Sequence, residues 1–208
     1  MDLVLHPVEV RVVGSLLEKE ITTPEYYPLS LNALVNACNQ KSNRDPAVSY
    51  DEATVELALQ SLREKGLLLT ITGAGSRVPK YGHRISDKLN LGRRELAILC
   101  ELMLRGPQTL AELRTRGERM HKFDDLAEAE TVLERMLELV TKIPRRPGEK
   151  EDRYAHLLSG APEVQAEADA PVLARADRIG AMEAEIARLR TELEEAKLQF
   201  AEFRRQFE

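Results

Sequence analysis

The sequence predicts a mainly α protein of the α+β class, in which two copies of a small domain stand in series, each closing on a β-hairpin, and a helical tail follows. Three observations carry this. An order of three amphipathic helices and a hairpin occurs twice, local sequence recurs at an offset of 78 to 79 positions, and the C-terminal stretch holds an unbroken heptad seam. A length of 208 residues suits one large domain or two small ones.

In the first copy, Val8, Val12, Leu16 and Leu17 form one helical face, Leu31, Leu34, Val35 and Cys38 a second, and Val55, Ala58, Leu59 and Leu62 a third. The third helix stops at Gly66, a residue suited to a helix C-terminus. LLLTIT (67–72), GAGS (73–76) and RVPKYGHRI (77–85) then read as strand, glycine turn and strand, with Pro79 placing the returning strand at an edge. In the second copy, Leu96, Leu99, Cys100 and Met103 form a helix face, and TLAELRTR (109–116) matches SLNALVNA (30–37) at an offset of 79. Leu126, Ala129, Leu133, Met136 and Leu137 form the third helix of that copy, and LVTKIP (139–144), RRPGEKED (145–152) and RYAHLL (153–158) give strand, polar turn, strand.

Three helices and a hairpin are the plan of the winged-helix domain, so the sequence predicts two tandem winged-helix domains, over 1–88 and 89–158. Any other small α+β domain with the same element order is the competing architecture. Residues 159–172, with Pro162 and Pro171 among small and acidic residues, read as a linker, because such a composition buries too little surface to order itself.

Residues 173–208 read as a coiled-coil helix. Ile179, Met182, Ile186, Leu189, Leu193, Ala196, Phe200, Phe203 and Phe207 alternate steps of three and four. With Ile179 at position a, a parallel pair sets Arg178 beside Glu183, Glu185 beside Arg190 and Glu192 beside Lys197, all opposite in sign. This predicts a parallel homodimer about 50 Å long at the ordinary helical rise. A helix folded back on its own domains, or paired antiparallel, is the alternative.

Forty-three percent apolar with 31% charged residues describes a globular chain, and no stretch is long enough to span a bilayer. The first ten residues lack the basic start and apolar run of a signal peptide, so the expected location is the cytoplasm. Cys38 and Cys100 both fall on apolar helical stripes and read as buried thiols rather than a disulfide. His6, His83, His121 and His156 are scattered without metal-ligand spacing, and GAGS joins two strands instead of opening a helix. The many carboxylates alternate with bases on helix faces. No metal, no cofactor and no enzymatic activity are expected.

Charge by segment is more informative than the net value of -5. Residues 1–90 carry ten Lys and Arg against eleven Asp and Glu, residues 91–158 carry thirteen of each, and 159–208 carry seven against eleven. Acids crowd the starts of both third helices, YDEATVE in the first copy and the 124–138 helix in the second, which argues against inserting those ends into a major groove. Bases gather instead in the loop 40–46 and on the first wing at Arg77, Lys80 and Arg84. In the second copy they gather at Arg114, Arg116, Arg119 and Lys122 and on the wing at Arg145, Arg146, Lys150 and Arg153. Were a duplex to bind, these loops and wings would touch phosphates, and Asn39, Gln40 and Asn43 would be the candidates for base edges, with Lys41 and Arg44 beside them. Ordinary solvated loops are the plain alternative.

The segments LLEKEITTPEYYPLSLNALVNACNQKSNRDP (16–46), GSRVPKYGHR (75–84), LMLRGPQTLAELRTRGERMHKF (102–123) and RPGEKEDRYAHLLSG (146–160) resemble the YceH family of bacterial proteins. The resemblance spans about three quarters of the chain and departs in the linker and tail. It implies a tandem winged-helix fold with a C-terminal coiled region and says little about activity. Asn39, Gln40, Lys41, Asn43, Arg44, Arg77, Lys80 and Tyr81 fall inside its motif. The expected function is therefore non-enzymatic nucleic-acid binding, in gene regulation, by a homodimer. The alternative is a protein-interaction scaffold that uses the same domains as architecture.

Overall fold

The computed structural model describes residues 3–72, 78–145 and 148–162, with Arg188, Arg190 and Lys197 in the tail, where these three are helical and exposed. The GAGS turn, Arg77, Arg146 and the nine seam positions from Ile179 to Phe207 lie outside the described residues. The chain divides into two units, Met1–Glu163 and Val164–Glu208. The first is a mixed α+β fold with, among the described residues, seven α-helices and two three-stranded antiparallel sheets. No helix among the described residues is long and apolar enough to cross a membrane.

Helices start where a side chain takes up their free amides. Pro7 opens α1 (Pro7–Thr22), and Glu9 accepts the backbone N–H of His6 at 2.6 Å. Ser30 accepts from Ala33 N–H to start α2 (Leu31–Cys38), and Asp51 accepts from Thr54 N–H to start α3 (Glu52–Glu64). The second half repeats these devices around α5 (Arg93–Arg105), which starts at Gly92. Thr109 accepts from Glu112 N–H for α6 (Leu110–Gly117), and Asp125 from Glu128 N–H for α7 (Leu126–Arg135). A short helix that the sequence did not announce, α4 (Ile85–Leu89), joins the halves and ends at Asn90 with φ +50°, a left-handed conformation that asparagine tolerates.

The hairpins form as expected, from β2 (Leu68–Ile71) and β3 (Lys80–His83) and from β5 (Val140–Ile143) and β6 (Arg153–His156). Each gains a two-residue third strand, β1 (Leu29–Ser30) or β4 (Gln108–Thr109), giving the orders β1-β3-β2 and β4-β6-β5. The registers coincide. Thr70 faces Tyr81 as Lys142 faces Tyr154, and Leu29 faces Tyr81 as Gln108 faces Tyr154. The returning strand of the first hairpin is central, not at an edge. Pro79 stands one residue ahead of β3, so its missing N–H removes no ladder bond, and β1 takes the edge. A two-residue strand is too short to leave a period in the sequence.

The sequence shows one apolar face on α1 and one on α5, whereas the structure buries every residue of Glu9–Glu18 and of Leu96–Leu104. α1 packs against α2 and α3 and also against α5, which in turn packs against α6 and α7. A helix covered on all sides needs apolar or paired side chains all round. Gly14 sets the approach. A Cβ there would lie 2.9 Å from Leu104 Cδ2 and 3.2 Å from Met103 Cβ, and the Cys100 thiol donates to Gly14 O at 3.4 Å. Both cysteines are free and buried, and burial pushes their thiols up, Cys38 to about 11.

Because the space at Gly14 is closed by fully buried neighbours, Gly14→Val is expected to overpack the α1–α5 contact and cost about 2 kcal/mol. Urea unfolding followed by circular dichroism checks this. An unchanged midpoint would mean that the two helices can separate to admit the side chain.

Candidate interaction surface

The bases expected to form a phosphate footprint have other uses in the folded unit. Asn39 donates from Nδ2 to Tyr50 O and accepts Tyr50 N–H at Oδ1, both at 2.8 Å, which ties the end of α2 to the start of α3. Gln40 Oε1 accepts from Arg44 Nη2 at 3.1 Å and from Lys19 Nζ at 3.4 Å. Asn43, with φ +58°, accepts from the Arg105 guanidinium. Arg44 is a correction to the expectation, because its side chain is wholly buried. It donates to Glu18 Oε1 at 3.2 Å and Oε2 at 2.7 Å and to Ala37 O at 2.9 Å, so in this fold it reaches no phosphate.

In the second half Arg119 pairs with Glu18 and lies 3.9 Å from Glu101. Arg114 donates to Phe123 O and Asp124 O, and Arg116 pairs with Glu112 at 3.0 Å and donates to Gln108 Oε1 at 2.9 Å. Arg145 donates to Lys150 O at 3.4 Å and gives its backbone N–H to Asp152. Lys41, Lys80 and Arg84 remain exposed, without a side-chain hydrogen bond or ion pair among the described residues. Arg77 and Arg146 lie outside the described residues.

Two buried carboxylates anchor this network, and they titrate in opposite directions. Burial alone would raise Glu18, but the Arg44 hydrogen bonds and charge, with Lys19 and Arg119 behind them, hold it down at about 2. Burial pushes Glu101 up, against the pull of Arg105 at 2.9 Å and of Arg119. The sequence could not signal either, since a Glu on a helix reads as solvated surface until the packing of that helix is known.

The surface left to solvent on the third helix of each half is acidic. Glu52, Glu56 and Glu64 of α3 are exposed, as are Glu130 and Glu134 of α7 with Glu138 just beyond it. Leu57 is 70% exposed on α3 and Leu137 72% exposed after α7. Between α3 and its hairpin lies a groove of about 380 Å³ lined by Glu56, Leu59, Gln60, Arg63, Glu64 and Tyr81. Tyr81 was visible in the sequence only as a motif residue. At the corresponding place in the second half, Lys142 Nζ sits 6.0 Å from the centre of the Tyr154 ring and 3.0 Å from Asp152. Burial first, then Glu130, Asp152 and Glu134, push the Tyr154 hydroxyl up, while Lys142 pulls it down.

Glu18→Gln is expected to cost about 3 kcal/mol or more, because it strands the buried Arg44 guanidinium. Glu101→Gln is expected to cost less than about 1 kcal/mol, since the fold already disfavours that charge. Glu18 ionises near 2 in the fold against an ordinary 4.5, so its contribution is complete above 4.5 and is lost as the pH falls through 2. The acid limb of stability against pH should therefore flatten in Glu18→Gln. A limb unchanged from the parent would remove Glu18 as its source.

Comparison with known proteins matches residues 5–149 to a family model described as "Protein of unknown function, DUF480". The chain is similar to a UPF0502 protein of Solibacter usitatus, 55% identical over 214 aligned positions that cover all of both chains. It is also similar to a UPF0502 protein of Geotalea daltonii, 57% identical over 196 positions and 89% of each chain, and to one of Geobacter sulfurreducens, 52% identical over the whole of both. With a family model over most of its length and full-length relatives above half identity, the chain belongs to the DUF480/UPF0502 family of bacterial proteins.

Proposed function

We propose that this protein is a non-enzymatic protein-interaction scaffold of the cytoplasm, built on two tandem winged-helix modules and dimerised through its C-terminal helix. The observation that carries the reading is the fate of the charges. Arg44, Arg114, Arg116 and Arg119 are engaged by carboxylates or carbonyls of the same fold, while the third helices turn acids and single leucines to solvent. A phosphate backbone needs converging, uncommitted cations, and acids facing it cost affinity. Two short strands that brace equivalent hairpins, and equal registers in both sheets, support the winged-helix plan. The exposed Lys41, Lys80 and Arg84 of the first half support the competing nucleic-acid reading and make it worth an explicit test.

Fluorescence anisotropy with random duplex across a salt series separates the two. The scaffold reading expects no saturable binding near ~0.15 M salt. Saturable binding whose log affinity falls by about 0.9 per phosphate neutralised, with several phosphates involved, would overturn it. Partners captured from lysate should persist after nuclease treatment. For the tail, light scattering should give a dimer that becomes a monomer when residues 160–208 are deleted, and a parent monomer would sink the dimer proposal.

A further inference from the structure

The two halves set a tyrosine at the same place beside the third helix, with different side chains around it. Asp51 and Asp125 cap α3 and α7 by the same bond, which sets Glu56 and Gln60 in register with Glu130 and Glu134. Tyr81 and Tyr154 hold the same position in their central strands, facing Thr70 and Lys142. In the second half the Lys142 ammonium stands 6.0 Å from the centre of the Tyr154 ring and pairs with Asp152. In the first half Thr70 stands in that place and the groove is open.

We propose that the groove between α3 and the first hairpin is a receptor site for a lysine or arginine side chain of a basic segment in a partner protein, seated over Tyr81 between Glu56 and Glu64. This rests on the protein-interaction reading above and names the chemistry of the partner. Tyr81 is only 9% exposed and lines the groove, yet its hydroxyl has no hydrogen-bond partner among the described residues. That hydroxyl meets solvent, so it is free to accept from an incoming donor. Glu56 has no ion pair among the described residues, and Glu64 is engaged only by Gln60 Nε2 at 3.4 Å. Leu59 offers apolar surface to the methylene stem that lysine and arginine carry behind their charge. Arg63, the cation of the lining, is held to Thr70 Oγ1 at 3.2 Å and competes with the incoming charge.

Anisotropy of a labelled oligolysine peptide on the full-length protein tests this. Parent protein binds, and the Glu56→Gln, Glu64→Gln double variant weakens binding about tenfold or more. Thr70→Lys, which copies Lys142, weakens it similarly by filling the groove from within, and Arg63→Ala tightens it. Glu130→Gln with Glu134→Gln makes the same change in net charge on the filled side and leaves binding unchanged. Circular dichroism confirms that each variant is folded, and Tyr81→Phe, which removes one oxygen from the floor, gives a second, milder loss should the double variant unfold.

No binding by the parent protein, or equal loss from both glutamate pairs, overturns the site. If oligolysine fails while nuclease-resistant partners remain, the groove is excluded and the scaffold reading stands. If duplex binds with a steep salt slope and partners vanish with nuclease, the scaffold reading itself falls.

Discussion

The structure depends on the contact between α1 and α5, where two helices enclosed on all sides meet backbone to side chain at Gly14. Such a contact tolerates charge only when it is matched, and the matching here is distributed across the chain. Glu18 comes from the first helix, Arg44 from the loop after α2 and Arg119 from the turn just past α6. Removing the carboxylate strands the buried Arg44 cation, so the arrangement is more costly to break than it is worth in net attraction. It also uses up the residues that would otherwise give the surface a cationic character.

The two halves share a frame and differ in their solvent-facing chemistry. Caps, strand order and cross-strand partners coincide between the halves, because each is fixed by backbone hydrogen bonding that a small sheet and short helices cannot vary cheaply. Positions that do not serve the frame differ. Thr70 answers to Lys142, and Arg63 to the exposed Leu137. The same frame thus sets a lysine across from one tyrosine and a threonine across from the other.

Period and punctuation made the helices and hairpins legible in the sequence. Leu31, Leu34 and Cys38, or Val55, Leu59 and Leu62, repeat as a half-buried helix must, and Gly66 marks a helix end with φ +71°. The strands β1 and β4 and the helix α4 were not legible, since two to five residues are too few to show a period. For the site, Asn39 reads in the sequence as a candidate for a base edge, and in the fold it ties the backbone of Tyr50. Arg44 was misplaced on the surface because its partner Glu18 is 26 residues away on a helix whose second buried face only α5 creates. The pairing of Tyr81 with an acidic helix was invisible for the same reason, as it needs the register of a hairpin against a helix.

The Cys100 thiol and the Gly14 carbonyl that it meets are separated by 86 residues of chain. During synthesis α1 leaves the ribosome well before α5 exists, so its second apolar flank waits uncovered for the length of an entire repeat. The nascent first half is then an adhesive intermediate, and the interval before α5 emerges is when this chain is most exposed to aggregation or to capture by a chaperone.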